Sequence, residues 1–361
     1  MRGSRHLYSL SLTDGVLGGI IGDPEKYESN ISVDGGFSSR AWVGQSFSSP
    51  PEVYFHRSAG SYAKLTSVNE GAAAVAQAAS SERVHWTAPD GVQVEGWLIK
   101  PTDFDAQRKY PLLVFVHGGP VAAVANTFNP YVAWPYPFRA FASRGYLVFL
   151  PNYRGTGSYG KEFRQPRDIA EVPADDILSG ISYLQQQGFV DSERIGIMGQ
   201  SHGGWLGPYV MAKKKIFRAA SFAEGSVDLF STYGHMPGWL NTNIHDFYYG
   251  GSPYSDPQRF ISLSPVFHFE GLKTPTMLEY GEQSLAVEGM EFQSALWRLG
   301  IPNELIVYPR TGHNIASPVL QLESMNRNLD WFDYWMLGRR DPAPEKQAQY
   351  ERWKNLPSAP R

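Results

Sequence analysis

The sequence predicts an α/β fold, an open and mostly parallel sheet with helices on both faces, preceded by a small all-β segment. Three observations lead to it. Residues 6 to about 68 read as short strands parted by turns, residues 83 to 100 read as one hairpin, and from Leu112 onward short apolar runs alternate with stretches long enough for helices. A length of 361 residues, at roughly 150 per domain, suits two units. They divide as 1–81, a β-rich segment with its linker, and 82–361, the α/β unit.

The elements follow in order. In the first unit the strands are His6 to Leu12, Ser39 to Gln45 and Glu52 to His56, with turns at Asp14-Gly15 and Asp34-Gly35-Gly36. Pro50, Pro51, Glu52 and Arg57 are placed to blunt a strand edge. The linker, Val68 to Ser81, contains the small-residue run Gly71 to Ala76, which suits a short helix or a flexible connection. Arg83 to Ala88 and Val92 to Lys100 flank Pro89-Asp90-Gly91 as a hairpin. Strands are then expected at Leu112–Val116, Tyr146–Leu150, Ile195–Met198, Ala219–Ala223, Thr276–Tyr280 and Glu304–Tyr308. Helices are expected at Ala174–Gln187, Gly203–Lys213, Gly289–Leu299 and Leu320–Leu337. Residues 229 to 263, rich in Tyr, Trp, Pro and Gly, fit no regular pattern and read as an insertion over one edge of the sheet.

Composition narrows the function. A hydrophobic fraction of 42% is ample for a large core, and a net charge of −3 leaves no electrostatic footprint for nucleic acid. The absence of cysteine removes disulfides, thiolate metal sites and a cysteine nucleophile. No apolar run approaches the ~18–20 residues of a membrane span, and the start of the chain lacks a signal-peptide pattern. Met1-Arg2-Gly3-Ser4 looks like an expression-vector leader, and a cytoplasmic location is expected.

The strongest local signal is Gly199-Gln200-Ser201-His202-Gly203-Gly204, which follows the strand Arg194 to Met198 and opens a helix. A serine on such a turn is pushed out of the sheet, and the helix N-terminus beneath it favours developing negative charge. A serine hydroxyl needs a base. His313 follows the last strand in Tyr308-Pro309-Arg310-Thr311-Gly312-His313, and the order Ser201 then His313 is that of α/β-hydrolases. For the oxyanion, one backbone N–H is expected from His202 and a second from Gly119 in Val116-His117-Gly118-Gly119-Pro120.

Other segments carry weaker signals. Asn152 to Gly160 is glycine-rich but lacks the Gly-Lys-Ser/Thr ending of a phosphate loop, and Arg154 is better placed to brace it. Asp175-Asp176 sits at an expected helix start, where carboxylates serve the dipole rather than a metal. Trp134, Tyr136 and Phe138 divide between core and pocket wall. No cofactor and no metal are expected.

At His117-Gly118-Gly119-Pro120, Asn152-Tyr153-Arg154-Gly155, the Ser201 motif, and Tyr308-Pro309 with Gly312-His313, the chain resembles the prolyl oligopeptidase family of serine peptidases, most of all its acylaminoacyl-peptidase-like branch. The similarity runs from about residue 82 to 357, through Trp331-Phe332 and Pro344-Glu345-Lys346. It implies an α/β-hydrolase domain whose serine forms an acyl-enzyme with peptides or small esters and amides.

Two departures from the family stand out. The family carries a seven-bladed β-propeller, whereas only about 80 residues precede the catalytic region here; at roughly 40–45 residues per blade, one or two blades fit. Residues 6 to 68 resemble the end of such a propeller, so the chain is a fragment of a longer protein or a natural short form. The family also reads Gly-Glu-x-Asp after the seventh sheet strand, and that aspartate orients the histidine. Here the run is Gly281-Glu282-Gln283-Ser284, which puts Ser284 in the acid position. A serine there can fix the histidine tautomer without adding charge, and Ser284→Asp is expected to raise turnover. Glu282 and Glu288 from the same loop, then Glu224 at the end of the sixth strand, are the rival acids.

The expected function is a serine hydrolase, peptidase or carboxylesterase, acting on a small peptide or ester through Ser201, His313 and Ser284. The alternative is a non-catalytic binding or structural protein, motivated by the missing aspartate. No nucleic-acid or membrane partner is expected. Open strand edges in residues 6 to 68 favour a homo-oligomer.

Overall fold

The computed structural model describes residues 7–21, 26–36, 38–57, 62–72, 79–129, 135–236, 238 and 241–356. Trp134 and residues 73–78 of the small-residue run lie outside the described residues.

The strands are β1 (Leu7–Leu10), β2 (Leu17–Ile21), β3 (Tyr27–Val33), β4 (Ser39–Ser46), β5 (Ser49–Arg57), β6 (Ala63–Lys64), β7 (Ala79–Thr87), β8 (Gln93–Pro101), β9 (Tyr110–Val116), β10 (Leu147–Asn152), β11 (Val190–Gln200), β12 (Ala219–Ala223), β13 (Thr276–Gly281) and β14 (Asn303–Tyr308). The α-helices are α1 (Phe138–Ser143), α2 (Lys161–Arg164), α3 (Glu171–Gln186), α4 (His202–Lys213), α5 (Leu229–His235), α6 (Pro257–Leu263), α7 (Ala286–Arg298), α8 (Pro318–Leu337) and α9 (Gln347–Lys354), with a π-helix at Asn241–Tyr249.

Eight strands form one sheet in the order β14-β13-β12-β11-β9-β10-β8-β7. The β7–β8 hairpin is antiparallel, with Ala79 opposite Pro101 and Thr87 opposite Gln93, and β8 runs antiparallel to β10. From β10 to β14 every pairing is parallel. Both faces are covered, so β9 is apolar throughout and its side chains alternate between two cores. Leu112, Val114 and Val116 join Ile177, Ile181, Leu206 and Phe222 on one side. Leu113 and Phe115 join Phe141, Phe332 and Met336 on the other. After β9 the chain adds β10 on one side and β11 on the other. Such a reversal opens a crevice at the carboxyl ends of the strands, where open α/β sheets hold their sites.

The N-terminal residues form a two-stranded ribbon, β1–β2, and an antiparallel four-stranded sheet, β3-β4-β5-β6. Trp42 stacks on Tyr54 at 5.8 Å, and the Arg40 guanidinium lies 4.1 Å from the Trp42 ring while its Nη1 donates to Glu28 at 3.1 Å. This sheet rests on the larger unit. The Phe47 N–H donates to Asn126 Oδ1 at 2.9 Å, and the Arg139 guanidinium covers the Phe47 ring at 3.9 Å.

Several expectations need correction. β2, β3 and β6 were not anticipated, because short, weakly apolar strands carry little periodic signal. β6 pairs with β5 only at Tyr54 and Phe55, so Pro50, Pro51, Glu52 and Arg57 do lie where β5 has an open side, although the Glu52 side chain is buried there. Glu52 instead accepts from the N–H groups of Val68 and Asn69 at 3.2 and 2.9 Å and ties down the start of the linker. α3 begins at Glu171, so Asp175 and Asp176 lie past its first turn. Asp176 is buried beneath Arg154, and Asp175 pairs with Lys213 at 2.8 Å. Tyr136 is core, its hydroxyl donating to the carbonyls of Gly199 and Ser221 at 2.9 Å each, and Phe138 is buried in the second core.

Where described, the region from 229 to 263 holds the helical elements α5, the π-helix and α6, with turns over 250–256 between the last two. Two of its starts carry capping chemistry. Asp228 Oδ1 accepts from the Phe230 N–H, and Asp256 caps α6 ahead of Pro257 at its first position. The segment covers α4 rather than a sheet edge, with Trp205 Nε1 donating to the Leu263 carbonyl at 2.8 Å. No helix among the described residues is long and apolar enough to cross a membrane.

Candidate active site

Ser201 sits between the end of β11 and the first residue of α4, with φ 61° and ψ −123°. That strained left-handed turn is what lifts a serine out of a sheet. The glycines two positions away on either side, Gly199 and Gly203, make room for the turn. A Cβ on Gly203 would lie 1.9 Å from the Val116 carbonyl oxygen, so the helix start can pack directly on the end of β9. The Ser201 N–H donates to the Ala223 carbonyl at 2.9 Å, which anchors the turn to β12.

His313, in the loop after β14, brings its Nε2 to 2.8 Å from Ser201 Oγ. Its Nδ1 lies 3.0 Å from Glu224 Oε2. Glu224 directly follows β12, is 1% exposed and takes a left-handed φ of 53°. A Cβ on Gly225 would lie 2.1 Å from the Gly204 backbone, so only glycine lets the chain after Glu224 pass the nucleophile helix this closely. The carboxylate accepts three donors: the Gly281 N–H on Oε1, and the Ser284 hydroxyl at 2.6 Å and His313 Nδ1 on Oε2.

The sequence expected Ser284 against Nδ1. The structure instead places Glu224 there and sets Ser284 behind it as a donor to the carboxylate. The physical reason is reach: the short 281–284 turn closes on itself, with the Ser284 N–H bonded to the Gly281 carbonyl at 3.1 Å, while β12 ends directly beneath the histidine loop. Glu282 faces away and accepts from the Arg310 N–H at 2.7 Å. Glu288 is buried under the turn after β12 and accepts from the Val227 N–H at 3.0 Å. Neither approaches His313.

Of the expected oxyanion groups, Gly119 has φ +54° in the loop after β9, and its carbonyl is tied down by the Ala122 N–H. His202 is the first residue of α4, and its ring is held on both sides. Its Nε2 lies 3.0 Å from the Tyr248 hydroxyl, and its Nδ1 lies 3.4 Å from the Tyr153 hydroxyl. Tyr153 donates to the His117 carbonyl at 2.8 Å, so His202 Nδ1 carries the proton toward it and Nε2 accepts from Tyr248. Burial pushes the His202 imidazole down to about 3 and His117 down to about 4, so both rings are neutral. Arg154 braces the neighbouring loop, its guanidinium reaching Asp176 at 2.6 Å and Asp90 at 2.5 Å.

A cavity of about 320 Å³ opens beside these groups. Ser201, His313, Glu224 and Ser284 line it together with Trp205, Met236, Ile244, His245 and Leu285. Sequence reasoning missed Tyr153, Tyr248 and His245. Tyr153 lies inside a motif that was noted for its arginine; Tyr248 and His245 lie on the π-helix, whose sequence carries no periodic signal. Among the described residues no group of three or more His, Asp or Glu side chains is placed to hold a metal ion.

Chemically, this is a hydroxyl on a strained turn, hydrogen-bonded to an imidazole that is oriented by a buried carboxylate. A family profile described as the prolyl oligopeptidase family matches residues 135–339. An uncharacterised peptidase YuxL of Bacillus subtilis is 26% identical over 262 residues, 70% of this chain and 38% of the relative. Dipeptidyl-peptidase 5 of Porphyromonas gingivalis is 28% identical over 265 residues, 68% of this chain and 36% of the relative. The matched stretch thus spans less than two-fifths of either relative's own length. Among solved structures, the uncomplexed acylaminoacyl peptidase of Pyrococcus horikoshii superposes with a TM-score of 0.80 at 22% identity, covering 97% of this chain and 55% of that one.

Proposed function

The chain belongs to the prolyl oligopeptidase family, and on that premise we propose that it is a serine hydrolase that cleaves peptide or ester bonds through an acyl-enzyme on Ser201. The observation that carries the reading is the run from Ser201 Oγ through His313 to the Glu224 carboxylate, at 2.8 and 3.0 Å. Ser201 Oγ attacks the substrate carbonyl while His313 Nε2 takes its proton. The backbone N–H groups of His202 and Gly119 receive the oxyanion. His313 then hands the proton to the leaving amine or alcohol, and water, deprotonated by the same nitrogen, releases the acid product and restores Ser201. Glu224 holds Nδ1–H and stabilises the imidazolium as it forms. Peptides are the favoured substrates, because the relatives are named peptidases; small esters share the chemistry.

The non-catalytic alternative was motivated by the missing aspartate. A carboxylate on His313 from another strand removes that motive. Self-association remains part of the proposal. It is supported by β3 and the two-residue β6 at the edges of the four-stranded sheet, and light scattering at tens of micromolar tests it. A cytoplasmic location is carried with this reading as an expectation, checked by fractionation of the source cells.

The central test is a fluorophosphonate probe with a p-nitrophenyl ester assay. The native chain is expected to label and turn over, whereas Ser201→Ala is expected to do neither. Removing one oxygen at a half-exposed turn should change stability by under ~1 kcal/mol. Most of the activity surviving in the pure variant would sink the assignment.

A further inference from the structure

We propose that the cavity beside Ser201 is built to take a tyrosine side chain at the residue whose carbonyl is attacked, with His245 hydrogen-bonded to the phenol. This rests on the serine-hydrolase reading above and names its substrate class. His245 sits on the π-helix Asn241–Tyr249 and lines the same cavity as Ser201 and His313. It is 0% exposed, and neither ring nitrogen has a hydrogen-bond partner among the described residues, so the ring has to turn into the cavity as the phenol enters. Buried polar groups are nearly always paired, and leaving one without a partner is costly.

The surroundings of His245 supply packing without partners. Tyr233 meets the ring edge-on at 5.2 Å, Tyr249 lies 5.4 Å away, and Phe260 stacks at 6.1 Å. Burial pushes the imidazole down to about 4, with Asp246 opposing, so the ring is neutral near pH 7. A neutral imidazole offers one donor and one acceptor. A hydroxyl matches it, being both acceptor and donor. A carboxylate or ammonium would enter a wall that, among the described residues, holds no free counter-charge, since Glu224, the one carboxylate among them, is committed to His313, Ser284 and Gly281.

The remaining walls choose the body of the side chain. Trp205, Met236, Ile244 and Leu285 are apolar and suit a flat ring. A volume of about 320 Å³ is at the low end for ligand pockets and suits one side chain rather than a length of peptide. The π-helix joins the pocket to the chemistry. Its wide turn puts Ile244, His245 and Tyr249 on the cavity, while Tyr248 donates to the ring of His202.

The test compares two N-acyl-alanyl p-nitroanilides, one ending in tyrosine and one in phenylalanine, on the full chain, with fluorophosphonate labelling alongside. A site that hydrogen-bonds a hydroxyl rejects the analogue lacking it, so kcat/KM for tyrosine should exceed that for phenylalanine by at least about tenfold. In His245→Phe the ratio should fall to about one. His245→Gln, which keeps a donor and an acceptor, should retain part of the preference. A native ratio near one overturns the proposal, and that measurement needs no variant to fold. A tyrosine preference that persists in a labelled His245→Phe variant overturns it too, as does labelling of the native chain without turnover of the tyrosine substrate. A native chain that neither labels nor turns over either substrate overturns the hydrolase reading itself.

Discussion

Replacing Glu224 by glutamine changes one oxygen into an NH₂ group and leaves the shape intact, yet the structure allows the amide no good orientation. Oε1 accepts the Gly281 N–H; Oε2 accepts the Ser284 hydroxyl and His313 Nδ1. If the amide oxygen faces His313, the NH₂ points at the buried Gly281 N–H, two donors in contact, at ~1–3 kcal/mol. If it faces Gly281, the NH₂ points at His313 Nδ1 and forces the proton onto Nε2, where it cannot accept from Ser201. Loss of the acid in related triads lowers turnover by on the order of 10⁴, or ~5.4 kcal/mol at 1.36 per decade. Glu224→Gln should therefore lose about 10³- to 10⁴-fold in kcat on a p-nitrophenyl ester, with residual turnover from the oxyanion groups. Ser284→Ala removes one donor to a carboxylate that keeps two others, so it should cost only ~1–2 kcal/mol, about 5- to 30-fold. The sequence alone had Ser284→Asp raising turnover. With Ser284 Oγ 2.6 Å from Glu224 Oε2, a second carboxylate would repel the first, so turnover should fall. The assay is steady-state kinetics on the three variants, with fluorophosphonate labelling rates as a second readout. Glu224→Gln within tenfold of the native enzyme, or Ser284→Ala as damaging as Glu224→Gln, would refute this account of the site.

Further outcomes follow from the same geometry. Tyr248→Phe should leave His202 Nε2 without its donor and lower kcat by about 3- to 10-fold on an ester, at little cost to folding; unchanged kinetics would mean the hydroxyl does not help hold the nucleophile helix. Arg154→Met strands the buried Asp176 carboxylate, whose pKa burial already pushes up, and should destabilise by ~3–5 kcal/mol, seen as a lower urea midpoint. Acidification should act against the three buried imidazoles: His117, His202 and His245 are pushed down to about 4, 3 and 4 against 6.5 unfolded, so their contribution is full above pH 6.5 and is lost as pH falls toward 4 and 3. Each then weakens the fold by roughly 2 kcal/mol between pH 6.5 and 5. Glu291, raised to about 7 by burial and then by Asp228, acts in the opposite sense between about 4.5 and 7, and so do Asp176, Glu279 and Glu288, whose carboxyls burial also pushes up, so the histidines are read out one by one. Ring-proton NMR that shows any of the three imidazoles charging near pH 6.5 would refute the buried neutral histidines.

Sequence by itself determined most of the sheet and two members of the site. β9, β12 and the Ile195–Met198 part of β11 are short runs of apolar residues, a pattern that buried parallel strands impose wherever both faces are covered. Ser201 was legible because the strained turn, its flanking glycines and the helix start are all local, lying within six residues. His313 was legible because the loop after the last strand is fixed by chain order. The third group was legible only as the last of three rivals to Ser284, since Glu224 and His313 are 89 positions apart and meet only because β12 ends beneath the histidine loop. The expected acid at 284 followed the linear pattern, whereas hydrogen bonding is decided by where a carboxylate reaches in space. The pocket was hidden for a related reason. Nothing periodic marks the π-helix, so tertiary packing against α4 alone sets which of its side chains, among them His245 and Tyr248, turn toward Ser201.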